Sequence, residues 1–141
     1  MIPYLNHLNV PSLKKVGTRH DLVLAIRTRP LKKANLLSVT RKFKFSNKQA
    51  ARVGGMALRT FQRQKPSYSL SIPASESVLK LAEVYENGMK AFDGNEPAFM
   101  SWLKAPIPAL NYTIPEEMLT SSMGADLINE ELLRIEFGLF S

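Results

Sequence analysis

Residues 46–66 read Ser46-Asn47-Lys48-Gln49-Ala50-Ala51-Arg52-Val53-Gly54-Gly55-Met56-Ala57-Leu58-Arg59-Thr60-Phe61-Gln62-Arg63-Gln64-Lys65-Pro66. Ser46 carries the short hydroxyl that caps a helix start, and Gln49 stands where it completes a capping box. The small Ala51 lets two helices approach closely. Four residues on, Gly55 can supply the positive φ of a turn between them. A second helix then runs from about Ala57 to Lys65 and stops before Pro66, because the residue preceding a proline is steered out of the helical region. Short helix, glycine turn, short helix is the helix-turn-helix pattern, although many helical hairpins carry Ala and Gly at this spacing.

The chemistry of the second helix sharpens that reading. Phe61 is expected to face the core while Arg59, Gln62 and Arg63 project outward. Arginine pairs bidentately with guanine edges in the major groove, and glutamine can do the same with adenine. Thr60, Lys48, Arg52 and Lys65 suit phosphates, which position a protein without specifying sequence. The charge distribution points the same way. Residues 1–65 hold 15 Lys/Arg against one acid, Asp21, a net of +14, whereas residues 66–141 hold 4 against 11, a net of −7. A basic half joined to an acidic half implies two kinds of partner, and a polyanion is the natural one for the first.

Outward from this stretch the chain reads as all-α. Residues 1–19 contain two prolines and little periodicity, and are expected to form a flexible basic arm. Leu22, Val23, Leu24 and Ile26 fit a short helix or a strand. Pro30 suits the first position of a helix running to about Phe43 through Leu31, Ala34, Leu37 and Val39. Beyond the quoted stretch, Tyr68–Pro73 reads as an extended linker. Ser75 and Glu76 then open a long amphipathic helix with Val78, Leu79, Leu81, Ala82, Tyr85, Met89 and Phe92 on its apolar stripe. Gly94-Asn95 breaks it, and Pro97 starts a helix carrying Phe99, Trp102 and Leu103. Pro106, Pro108 and Pro115 frame a rigid connection, and Pro115 leads a helix with Met118 and Leu119. Gly124 precedes the last helix, whose apolar set is Leu127, Ile128, Leu132, Leu133, Ile135 and Phe137. The domains expected are 1–19, the arm; 20–72, the helix-turn-helix region; and 73–141, a helical dimerisation and second-partner domain.

Several function classes lose support. The chain has no cysteine, so disulfides and thiolate zinc sites are excluded, and a reducing cytoplasmic setting fits. No run approaches the roughly 18 apolar residues of a membrane span, and the first residues lack the basic and apolar regions of a secretory leader. Its two histidines, His7 and His20, lie in or beside the arm. No phosphate loop, metal spacing or nucleophile elbow is present. Glu116-Glu117 and Glu130-Glu131 sit on apparent polar faces, and neighbours in a helix diverge rather than converge on a substrate. A non-enzyme without metal or cofactor is expected.

The second half carries an ordered series: Ala91-Phe92-Asp93-Gly94-Asn95-Glu96, Trp102-Leu103, Pro106, Ala109-Leu110, Pro115, Met118-Leu119, Gly124-Ala125 and Leu133-Arg134-Ile135-Glu136-Phe137-Gly138. Together these resemble the toxin-binding domain of Xre/MbcA/ParS-type antitoxins. Thr60-Phe61-Gln62-Arg63 and Ser75-Glu76-Ser77 are similar to the Xre-like helix-turn-helix region upstream of it. The resemblance covers roughly residues 22–140 and implies an all-α fold, an N-terminal helix-turn-helix DNA-binding region followed by a small helical toxin-binding domain. It further implies the antitoxin of a type II toxin–antitoxin system. The partner implied is a RES-domain toxin, with NAD⁺ as that toxin's substrate rather than a cofactor here. Such antitoxins dimerise or form larger assemblies with the toxin, and bind operator DNA to repress their operon. The chain departs from the family at Asn111-Tyr112, where glycines are usual, at Gly54-Gly55 in place of Leu-Gly, and in its basic arm. Gly54 is expected to cost helix stability.

The closing Gly138-Leu139-Phe140-Ser141 fits this picture. Gly138 can take the left-handed position after a helix, with Leu139 packing back on the last turn. Phe140 is unexplained by that motif; with Arg134 and Phe137 it is expected to plug or rim the toxin's cleft, since aromatic anchors dominate interfaces, the alternative being packing on its own chain or at a dimer contact. Trp102, Leu103, Leu110 and Gly124, like Ala51, Gly55 and Phe61, are expected to be structural. The competing readings are a dimeric helix-turn-helix transcriptional regulator without a toxin partner, and an adaptor between two proteins.

Overall fold

The computed structural model describes residues 2–8, 10, 13 and 15–138. Among them are eight α-helices: α1 (Arg19–Thr28), α2 (Lys33–Lys42), α3 (Asn47–Val53), α4 (Leu58–Arg63), α5 (Ile72–Ala91), α6 (Glu96–Leu103), α7 (Pro115–Met118) and α8 (Ser122–Glu136). Short 3-10 turns lie at Pro3–His7, ahead of α1, and at Pro108–Leu110, between α6 and α7. The described residues contain no sheet, only isolated bridges between Lys32 and Ser69 and between Ile107 and Thr113. The fold is all-α.

Helix α5 is the spine. Ser71 caps it by accepting from the Ala74 N–H at 3.2 Å, and Pro73 occupies its first turn, where no donor is lost. It therefore begins at Ile72, and Ser75 lies inside it rather than opening it. Ser75 is buried, and its hydroxyl accepts from the Leu31 N–H at 2.9 Å, tying the start of α2 to the spine. Val78, Leu81, Ala82 and Val84 are completely buried because α1, α2, α3, α8 and the Pro3–His7 turn all pack on this helix. Lys80 donates to Ser122 at 2.6 Å and to Asp126 at 2.8 Å, and Asn87 to Asn129 at 2.9 Å, forming a polar seam with α8.

Several expectations are corrected. The Pro3–His7 segment is docked rather than loose: Tyr4, Leu5, Leu8 and Leu13 are buried in the same continuous apolar cluster as Leu132. Apolar side chains at this density outweigh the weak periodicity, and Pro3 leads the 3-10 turn. Residues 22–26 are helical, with Thr18 accepting from the Asp21 N–H at 3.1 Å as the cap of α1. Helix α2 begins at Lys33, after Pro30, because the Leu31 carbonyl accepts from Leu70 and Lys32 bridges to Ser69. Asn35 Oδ1 accepts from the Lys32 N–H at 2.7 Å to close that start. Helix α8 begins at Ser122, capped by Ser121, so Gly124 lies within it. A Cβ there would sit 2.0 Å from the Met118 carbonyl oxygen; glycine is needed for the close α7–α8 approach, not to break the chain.

The apolar positions also redistribute. Ala125, Ile128 and Leu132 form the buried side of α8, whereas Leu127, Leu133 and Phe137 are exposed. Glu131, read as surface, is buried. Between α5 and α6, a Cβ on Gly88 would meet Phe99 Cζ at 2.1 Å, so the ring of Phe99 lies flush on the spine's backbone.

Candidate functional site

Two surfaces carry the candidate residues. The first is the turn between α3 and α4. Ser46 accepts from the Gln49 N–H at 3.2 Å, and the Gln49 side-chain oxygen accepts from the Ser46 N–H at 2.8 Å, so the capping box is complete. Gly55 has φ +67°, the left-handed conformation that the turn requires. Gly54 lies just beyond the last residue of α3, with φ −75°, so the cost of glycine inside a helix falls away. Leu36 and Met56 side chains fill the space beside it, each 3.0 Å from where a Cβ would be.

Helix α4 has six residues, too few to be stable alone. Phe61 anchors it from inside. Its C-terminal carbonyls, which every helix leaves without internal partners, are met by Lys33. That lysine is buried, its Nζ donates to the Phe61 carbonyl at 2.6 Å and the Gln64 carbonyl at 2.8 Å, and it stands 4.4 Å from the centre of the Phe61 ring. With the helix pinned from beneath, Arg59, Thr60, Gln62 and Arg63 all face solvent, as do Lys48 and Arg52 on α3 and Lys65 beyond the end of α4. Ala51 and Phe61 are buried between the two helices.

The second surface is on α8. Met123, Leu127, Arg134 and Phe137 follow at spacings of four, seven and three residues, which places them on one helical face. Met123 is 80% exposed and Phe137 67%, and Leu127 and Leu133 are also open to solvent. Arg134 is held toward this face by a 3.2 Å contact with Glu131. Gly138 has φ +66°, and Leu139 and Phe140 lie outside the described residues. Trp102 is half-buried against Phe92, with ring centres 6.0 Å apart; Leu103 is buried and Leu110 half-buried. Tyr85 links α5 to α6 by donating to Glu96; burial first, then that hydrogen bond and the carboxylate's charge, push its hydroxyl pKa up to about 12.

Residues 88–138 match the profile of the antitoxin Xre/MbcA/ParS C-terminal toxin-binding domain. This part of the chain is therefore similar to the Xre/MbcA/ParS antitoxins. It is 26% identical over 98 residues to a protein named Antitoxin Xre from Photorhabdus laumondii, covering 69% of this chain and 66% of that one. A second Antitoxin Xre, from Yersinia enterocolitica, is 25% identical over 91 residues, covering 64% of this chain and 62% of that protein. The chain thus spans just under two thirds of the length of these relatives.

The matched segment takes in the last turn of α5 and all of α6, α7 and α8, so the exposed face of α8 lies wholly within it. It is joined to the helix-turn-helix by a direct contact: the Gln49 amide donates to Glu116 on α7 at 3.1 Å. Gln49 thereby serves the α3 cap with its oxygen and α7 with its nitrogen. Sequence reading gives no signal for Lys33, one cation among 15 in its half, nor for Gly88.

Proposed function

We propose that the chain is the antitoxin of a type II toxin–antitoxin pair. Its toxin-binding domain covers a RES-type toxin and keeps NAD⁺ from the toxin's active site. Its helix-turn-helix binds operator DNA and represses the operon. The observation that carries this reading is the match of residues 88–138 to a toxin-binding domain whose last helix leaves a large apolar face uncovered. Exposed apolar area of this kind is costly unless a partner removes it from water.

The charge split supports both halves of the proposal. A −7 second half complements a cleft built for the phosphates of NAD⁺ and speeds encounter. The exposed cations around α3 and α4 suit operator phosphates, with Arg59, Gln62 and Arg63 on the base-reading side; each released counterion then steepens the fall of affinity with salt.

The test is co-expression. The reading frame adjoining this gene is induced in a bacterial host with and without the chain, while growth and cellular NAD⁺ are followed. Arrest with NAD⁺ loss, relieved by the chain, is the expected result. Arrest and relief with NAD⁺ unchanged would remove the RES partner, and absence of toxicity would leave a dimeric transcriptional regulator.

A further inference from the structure

Four residues other than glycine adopt positive φ among those described: Lys44, Asp93, Asn111 and Tyr112. Lys44 and Asp93 are polar, and each stands one residue past the C-cap of a helix, a place where chains commonly turn left-handed. Asn111, at φ +55°, ends the Pro108–Leu110 turn and is a residue type that tolerates this conformation. Tyr112 is different. It follows directly at φ +63°, has no helix to terminate, and carries a bulky ring, for which a positive φ is an outlier.

The corner is held tightly by its own backbone. The Tyr112 N–H donates to the Ile107 carbonyl at 2.9 Å, Ile107 N–H to Thr113 at 3.2 Å, Thr113 N–H to Leu110 at 3.1 Å and Asn111 N–H to Pro108 at 3.0 Å. The fold gains little from the ring so displayed, which is 70% exposed, and Pro108 and Ala109 beside it are exposed as well. Strain of this sort persists where its surroundings enforce it, and it concentrates at binding sites. A rigid apolar corner has little conformational freedom left to lose on association, and tyrosine is among the commonest interface anchors.

We propose that the Ile107–Thr113 corner is a preformed contact for the toxin, with the Tyr112 ring seated in an apolar recess of that protein. This rests on the antitoxin reading above and adds to it a second point of attachment, apart from α8. The occupant is the toxin because the corner lies within the matched toxin-binding domain.

The experiment uses the full chain and the protein encoded by the adjoining reading frame, with binding and urea unfolding measured for wild type, Tyr112→Gly and Tyr112→Phe. Glycine takes the left-handed conformation without strain, so Tyr112→Gly is expected to raise the urea midpoint while weakening the complex roughly thirtyfold, the scale of a lost anchor. Tyr112→Phe keeps the ring and is expected to bind as wild type. A Tyr112→Gly chain that is more stable and still binds normally would overturn the inference and leave the antitoxin reading standing. A loss confined to self-association of the free chain would also overturn it, assigning the corner to a second copy. If wild type itself does not bind its neighbour, the antitoxin reading falls and the inference with it.

Discussion

Lys33 is counted in the positive charge of the first half, yet it does not belong to the surface that charge creates. Its Nζ is turned inward to the Phe61 and Gln64 carbonyls, at 2.6 and 2.8 Å. A cation beside helix C-terminal carbonyls is favoured by the helix dipole as well as by hydrogen bonding. Replacing it with methionine keeps the apolar stem but takes the charged donor from both carbonyls, leaving Phe61 only the longer 3.3 Å bond from the Gln64 N–H. Buried hydrogen bonds involving a charge contribute on the order of 1.5–3 kcal/mol, so Lys33→Met is expected to lower unfolding free energy by about 2 kcal/mol in urea titration. It should also weaken the proposed operator binding, through the loss of support beneath α4. A loss below about 0.5 kcal/mol would show that α4 is held by Phe61 alone. Composition made this residue illegible: a buried lysine and a solvated one have the same letter, and only the contact across 28 residues separates them. Gly55 is the opposite case, because only a turn of positive φ gives a glycine that value at that spacing, and its role was readable from the chain.

At the scale of elements, the helices with strong periodicity and capping residues were legible, and the docking of weakly periodic ones was not. The capping box at Ser46 and Gln49, the turn at Gly55, the proline-led starts of α6 and α7 and the stripe of α5 were all in the sequence. Pro3–His7 was misread because a 3-10 turn has no hydrophobic period to detect; its burial depends on what the rest of the chain builds around it. That docking carries a titratable group. His7 packs edge-on against Tyr85, with ring centres 5.0 Å apart, and its Nε2 is 3.7 Å from Glu86, too far for a good hydrogen bond. Burial, and then the nearby Lys42, hold the His7 pKa below its ordinary 6.5, with Glu86 opposing them. A depressed histidine pKa means the folded state prefers the neutral ring. The stabilisation is present above 6.5 and is lost as pH falls through the lower folded value. Urea midpoints measured at pH 7 and pH 5 are therefore expected to drop more for wild type than for His7→Phe, which keeps a ring against Tyr85 but cannot charge. Equal drops would place the acid sensitivity elsewhere.

The charge boundary near residue 65 suggests two separate halves, but the packing does not respect it. Helix α5 belongs to both, since the Pro3–His7 turn and α2 lie on it as well as α8. Leu31 is tied to Ser75 across 44 residues at 2.9 Å, and Gln49 to Glu116 across 67 at 3.1 Å. Charge records what each half meets outside, whereas burial records what each meets inside, and the two divide the chain differently. In a protein proposed to hold DNA with one half and a toxin with the other, a shared spine allows occupancy of one surface to be felt at the other. The consequence can be measured without either partner. Trp102 is the sole tryptophan and packs on Phe92 in the second half, so its fluorescence follows that half, while far-ultraviolet circular dichroism follows every helix. If one core unites them, both signals move together through a single urea transition, and Lys33→Met, made far from Trp102, shifts the fluorescence midpoint as much as the dichroism midpoint. A fluorescence transition that stays put while dichroism shifts would mean that the helix-turn-helix melts independently, and that the spine joins two units without coupling them.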